Sequence, residues 1–272
     1  MHSSAASLSD WLPWLVLVAL LIAYPVLVVW QERRGHSWSR WRTTFWITGV
    51  LLLLLATWPP LARWGHHDLR GHMVQHLLIG MLAPLGLVLA APLTLLWRTL
   101  SAPTSRRITR WLNAPGMRLL GHPVTAGVLN IGGMYVLYLT PLYAYMHTHP
   151  AVHHLVHLHF LAAGCLFTWS IAGPDPAPHR PRFALRLAVL FASVATHGYL
   201  SKFMYAHRWP RGTHHTLEEI QAAAQWMYYG GDLAEVLLAV ALFAGWYQTR
   251  RRRYGPAGLA ASTTNVSIFH NR

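Results

Sequence analysis

Apolar residues in this chain come in long blocks rather than in alternation. Seven runs of at least 16 residues stand out, at about 11–30, 43–58, 72–97, 122–143, 151–172, 183–205 and 222–247. A helix rises ~1.5 Å per residue and the hydrocarbon core of a bilayer is ~30 Å thick, so these runs predict transmembrane helices. The block at 43–58 is short and is expected to extend into Pro59 and Pro60. Pro84 and Pro92 fall inside the third block, where each removes a backbone donor and predicts a kink. The intervening polar stretches are too short to separate domains. One all-α, polytopic seven-transmembrane helix bundle is predicted over 1–248, followed by a basic, disordered cytoplasmic tail at 249–272. In the longest polar stretch, 98–121, Trp111 and Leu112 lie among arginines, a pattern that predicts a short helix on the membrane surface.

Composition agrees with the pattern: 54% hydrophobic against 11% charged leaves too little polar surface for a soluble domain. The net charge of +14 raises the question of nucleic acid, but its distribution answers it. Lys and Arg number 17 on one set of alternate loops and 5 on the other, which is the positive-inside pattern. It predicts an N-terminus outside, a C-terminus in the cytoplasm and contact with membrane lipids, and no nucleic-acid surface. The opening segment lacks a basic n-region and a small-residue cleavage site, so it is expected to be a retained first helix. A single cysteine, Cys165, excludes an internal disulfide and a cysteine-cluster metal site, and is expected to be a small buried hydrophobe.

Histidine changes the picture further. On the topology drawn from Lys and Arg, 15 of the 19 histidines fall on the outer side and only His36, His122, His179 and His270 fall inside. The third span enters from outside at His72 and reaches His76 one turn deeper on the same face. The fifth carries His153, His154 and His157, with His157 four residues from the first and three from the second. His197 lies about 12 Å below the outer end of the sixth span, and Asp232 and Glu235 about 15 and 20 Å below that of the seventh. Ionisable groups at such depth are costly unless they line a cavity, pair or bind something.

Imidazole suits copper, zinc, nickel and iron, while thioether sulfur selects Cu(I); Met73, Met146, Met204 and Met227 lie at the same level. For each residue a plainer role stands beside the ligand role. Core packing accounts for the methionines, and interfacial positions account for His147, His149, His153 and His159. Solvated loops account for His66, His67, His214 and His215, where the sharper reading is a site that recruits metal. For His76, His157 and His197 the plainer role is a hydrogen bond between helices. Pairing with Lys202 or an imidazole is the plainer role for Asp232 and Glu235. The segment HMVQH also approaches the zinc-protease pattern H-E-x-x-H, but lacks its Glu general base, which disfavours metalloprotease chemistry.

Taken in order, HMVQHLL, HHLVHLHFLAAGCLFTW followed by GPDPAP, ATHGYL and QWMYYGGDLAE resemble the CtaG-type assembly factors of caa3-type cytochrome c oxidases. These motifs span about residues 70–240. The resemblance implies a multi-pass protein of the bacterial cytoplasmic (inner) membrane that acts in oxidase maturation by delivering copper to its outward-facing centres. It carries over His72, His76, His157, His197 and Asp232 as metal positions, with His154 beside them; Met73, Met204 and Glu235 are weaker additions on their own chemistry and depth. Implied partners are cytochrome c oxidase subunits and a periplasmic copper chaperone. Asp175-Pro176, which also matches, is expected to be a structural turn.

The leading expectation is a non-enzymatic copper carrier whose affinity falls as pH falls, because only neutral imidazole coordinates. Two alternatives stay open at this point. One is a zinc-dependent intramembrane hydrolase with His76, His157 and His197 as ligands and Asp232 or Glu235 activating water. The other is a bis-histidine haem protein that moves electrons.

Overall fold

The computed structural model describes residues 8–177 and 180–254, and all the regular structure in them is helical. His2, His179, His270 and the tail beyond 254 lie outside the described residues. The chain runs through α1 (Leu8–Arg33), α2 (Arg40–Ala56), the short α3 (Pro59–His67) and α4 (Leu69–Leu77). A π-helical turn (Leu78–Leu82) leads into α5 (Ala83–Leu89) and α6 (Pro92–Thr99). Two short helices, α7 (Ala102–Leu112) and α8 (Pro115–Leu120), follow in the arginine-rich stretch. Next come α9 (Pro123–Tyr138), α10 (Leu142–Thr148), α11 (Pro150–Ala172), α12 (Phe183–His207) and α13 (Leu217–Tyr254).

Five segments are each long and apolar enough to cross a bilayer: Leu12–Arg33, Leu69–Leu89, Pro150–Ala172, Phe183–His207 and Leu217–Arg251. Two bent pairs, α2 with α3 at 54° and α9 with α10 at 76°, raise the number to seven if each pair is one span. The protein is thus an all-α, multi-pass membrane protein. Helices dominate because each satisfies its own backbone within the segment, which lipid cannot do. Prolines set the starts: Pro59, Pro92, Pro103, Pro115, Pro123 and Pro150 each occupy the first or second position of a helix. There the missing N–H removes no intrahelical bond.

The third apolar block departs from a single helix over 72–97. Helical geometry widens into the π turn two residues after His76, and the chain breaks at Ala91, which takes left-handed φ 56°, ψ 54° ahead of Pro92. Partners from distant segments satisfy the break. The Tyr24 hydroxyl donates to the Ala90 carbonyl at 2.6 Å. The buried Asp175 carboxylate accepts from the backbone N–H of Leu93 (3.1 Å) and Thr94 (2.8 Å), and from the Thr94 hydroxyl (2.6 Å). Free amides at a buried helix start are costly, and a carboxylate there also meets the positive end of the helix dipole. Arg180 in turn donates to the carbonyls of Gly173 and Asp175. Asp175 is therefore a cap for α6 held in a structural turn.

At the other end, α13 continues helical to Tyr254, so the first residues of the expected tail at 249 belong to the last helix. The surface-helix expectation for 98–121 corresponds to α7, where Trp111 is exposed and Leu112 buried. Outward-pointing residues of α1 and α13, among them Leu15, Ile22, Leu233 and Val240, are exposed apolar side chains of the kind that face lipid. Inside, α11 approaches the π turn closely because residue 164 is glycine; a Cβ there would run into the Gly80 carbonyl oxygen. That contact sets α11 against the segment that carries His72 and His76.

Candidate functional site

The site begins at the corner between α3 and α4. Asp68 ends one helix and caps the next, accepting from the Arg70 backbone N–H at 2.8 Å and from the Trp64 indole N–H at 3.2 Å. Its carboxylate also receives the Arg70 guanidinium through Nε (2.9 and 3.0 Å) and Nη2 (2.6 Å). Burial alone would raise the Asp68 pKa, but the bonds from Arg70 and Trp64 outweigh it and hold the carboxyl below its ordinary value. Two turns on, the Gln75 amide donates to the Ala56 carbonyl at 2.8 Å and ties α4 to the end of α2. Together these contacts fix the face of α4 that presents His72 and His76 to the interior.

Both imidazoles are almost wholly buried, 1% exposed for His72 and 2% for His76. Neither ring nitrogen of either residue has a hydrogen-bond partner among the described residues. His72 lies edge-on to Tyr143 (5.1 Å between ring centroids) and Tyr138 (6.0 Å), and 6.2 Å from His157 of α11. His76 sits one turn deeper between Phe160 (4.7 Å) and Tyr138 (6.1 Å). His157 Nε2 is likewise buried and unpartnered. A neutral imidazole carries one donor and one acceptor, so each such ring leaves hydrogen-bonding capacity unused.

On α12, His197 is fully buried, with Nδ1 3.4 Å from Glu235 Oε1 of α13 and no hydrogen bond to either ring nitrogen. Residue 231 is glycine for a local reason: a Cβ there would overlap the His197 ring. Glu235 is 6% exposed, its second oxygen has no partner, and it lines a cavity of about 20 Å³ with Asn130 and Thr168. That volume holds about one water.

The predicted positions are therefore not all brought together. His72, His76 and His157 share one aromatic-walled layer with His197 and Glu235 in the same bundle, and Met73 and Met204 lie buried in the adjoining core with Met146 and Met227. The Tyr138 hydroxyl points to the Met73 sulfur at 3.6 Å. His154 instead faces outward, its ring 5.8 Å from that of His153. Asp232 is half-buried and makes no hydrogen bond or ion pair among the described residues, so of the two acids it is Glu235 that meets an imidazole. Lys202 pairs with neither; its ammonium lies 5.0 Å from the Tyr228 ring centre. Among the described residues no three His, Cys, Asp or Glu side chains are disposed to hold one metal ion together.

Sequence reasoning also missed participants. His153, assigned an interfacial role, is buried and stacks on His66 (4.6 Å) while lying 4.3 Å from His157. His147 lies 6.3 Å from both His66 and His215, and the Tyr143 hydroxyl lies 3.1 Å from His215 Nε2. The four-residue spacing of His153 and His157 and the metal-recruiting reading of the loop histidines His66 and His215 pointed this way; the tyrosines carry no periodic mark.

A family model described as cytochrome c oxidase caa3 assembly factor matches residues 22–249. Uncharacterized proteins of Mycobacterium leprae, Mycobacterium bovis and Mycobacterium tuberculosis are each 33% identical over 189 residues, which is 67% of this chain. The aligned part is 29% of each relative, so the chain spans less than a third of their length. No solved structure matches it significantly.

Proposed function

The chain belongs to the cytochrome c oxidase caa3 assembly factor family, and we propose that within it this protein carries copper to the oxidase through its buried imidazole layer. The observation that carries the reading is the set of unpartnered ring nitrogens on His72, His76, His157 and His197, contributed by α4, α11 and α12. An orphaned buried polar group costs roughly 1–3 kcal/mol, and four such rings are retained in one bundle. Metal coordination offsets that cost; packing alone does not.

The donor set fits a soft ion. Zinc takes three or four protein ligands, whereas the imidazoles here are arranged as neighbouring pairs beside buried thioethers, an arrangement suited to Cu(I). His72, His76, His157 and His197 are the proposed ligands. Met73 and Met204 supply soft donors, Glu235 offsets the charge of the cargo, and His154 and Asp232 stand at the margin of the set. A carrier has to release its ion, and two-ligand stations favour release over retention. The role is therefore binding and transfer rather than catalysis.

In this reading the histidine end of the bundle faces the outside of the bacterial cytoplasmic membrane, with the arginine-rich α7–α8 stretch and the end of α13 against the inner lipid headgroups. Oxidase subunits receive the copper and a periplasmic chaperone supplies it. Elemental analysis of detergent-purified wild type beside His76→Ala, His157→Ala and His197→Ala tests the proposal. Copper in the wild type that falls in all three variants is the expected result. Wild-type protein that binds no Cu(I) in competition with bicinchoninate would sink it.

A further inference from the structure

We infer that one water molecule is a fixed part of the bundle interior, held by Asn130, Thr168 and Glu235 beneath the imidazole layer. This inference is independent of the copper-carrying role proposed above. Three helices converge there: α9 brings Asn130, α11 brings Thr168 and α13 brings Glu235. All three side chains line the cavity of about 20 Å³, and Gly80 and Met81 of the π turn form another wall. Gly80 lies one turn beyond His76, which puts the cavity directly under the layer. Asn130 is ~10 Å along α9 from Pro123 and Thr168 ~27 Å along α11 from Pro150, so both lie at hydrocarbon depth, away from bulk water.

The polar groups around this space are unspent. Asn130, Thr168 and Glu235 are 6%, 4% and 6% exposed. Neither the Asn130 amide nor the Thr168 hydroxyl makes a hydrogen bond among the described residues, and Glu235 Oε2 has no partner. Burying an amide, a hydroxyl and a carboxylate unpaired is costly, and a buried water with two to four polar partners removes that cost. A water can donate to the carboxylate and amide oxygens while accepting from the hydroxyl, which matches what these three side chains offer. Hard divalent cations take six or more oxygen ligands, more than this lining supplies.

The room for the water comes from the backbone. Gly164 of α11 packs against the Gly80 carbonyl, and both glycines border the cavity. With no side chain at either position, the space between the π turn and α11 is left to a small polar guest. Held there, the water joins α9, α11 and α13 through side chains that do not reach one another. Glu235 extends the junction to α12, since its other oxygen lies 3.4 Å from His197 Nδ1. Fixing Oε2 at the water keeps Oε1 turned to the imidazole, so Asn130 and Thr168 are positioning residues for Glu235.

The test is X-ray radiolytic footprinting of the full chain in lipid nanodiscs, with oxidised peptides read by mass spectrometry. A hydroxyl radical made from a resident water reacts with the nearest side chain before it can escape. Phe167 lines the cavity at 5% exposure, whereas Phe191 of α12 is 66% exposed on the lipid side and serves as the control of equal intrinsic reactivity. Phe167 is expected to be oxidised at least about tenfold faster than Phe191, despite its burial. The variant Asn130→Leu/Thr168→Val is expected to bring Phe167 down to the Phe191 rate, and Thr168→Ser to keep the wild-type rate. Phe167 no faster than Phe191 in the wild type overturns the inference, and so does an unchanged rate in a monodisperse double variant. If the double variant fails to fold, Thr168→Val against Thr168→Ser decides. Slower oxidation in the valine variant alone supports the water, and equal rates in the two overturn it.

Discussion

Replacing His76 with leucine separates a ligand from a structural histidine. The ring is 2% exposed, both nitrogens lack partners, and its neighbours are the faces and edges of Phe160 and Tyr138. If the imidazole is kept for metal, His76→Leu removes two orphaned polar atoms worth roughly 1–3 kcal/mol each. The leucine has a similar volume, and such swaps cost less than about 1.5 kcal/mol. The apo protein should gain ~1–6 kcal/mol, which at ~2–4 °C per kcal/mol raises the apparent Tm by ~2 °C or more. Copper affinity should fall at least about 100-fold, beyond what loss of a mere supporting group produces. Thermal unfolding of metal-free protein in detergent, paired with Cu(I) competition on the same preparations, reads both quantities. A variant that loses more than ~1 kcal/mol while keeping its copper affinity would show that the ring holds helices together, and the ligand argument would fail.

Other expectations follow from the supporting residues. Gly231→Ala removes no ligand, but its Cβ would overlap the His197 ring; copper affinity should drop about tenfold with a stability loss of about 1–3 kcal/mol, read by the same two assays. Asp68→Ala should lower the apo Tm through loss of a helix cap worth about 1 kcal/mol. Because the Asp68 pKa is held below its ordinary value, its contribution is complete above about pH 4 and is lost as pH falls through the lowered value. A Tm–pH profile of Asp68→Asn should therefore be flatter than wild type on the acid side; parallel profiles would contradict this. Asp175→Ala strips three bonds from the start of α6 and should cost about 2–4 kcal/mol without changing copper binding at the other end of the bundle.

The architecture was largely written in the hydrophobic blocks, since a span must be apolar along its whole length whatever it packs against. The face shared by His72 and His76 was equally readable, because four-residue spacing is a property of one helix. Rotational questions were harder. His153 and His154 are neighbours in sequence, yet one turns into the bundle and the other out of it, and only the packing of α11 decides which. The same holds for Asp232 and Glu235, where the position of His197 on α12 selects the second. The kink expected at Pro92 is present as a break at Ala91, but its left-handed conformation was not legible, because alanine carries no signal for one; Asp175 makes it tolerable from 81 residues away in the Thr94 contact. His66, His147 and His153 lie on three segments whose proximity depends on the bends after α2 and α9, which local sequence does not encode.

The Asp175 cap also has a consequence for how the protein is made. Synthesis proceeds from the N-terminus at ~5–20 residues per second, so the 81 residues between Thr94 and Asp175 take roughly 4–16 s to appear. During that interval the start of α6 waits without the carboxylate that secures it. His72 waits equally for His157, and His197 and Glu235 emerge later still. The imidazole layer is therefore incomplete on a partial chain, since His197 and Glu235 join it only once α12 and α13 have been made.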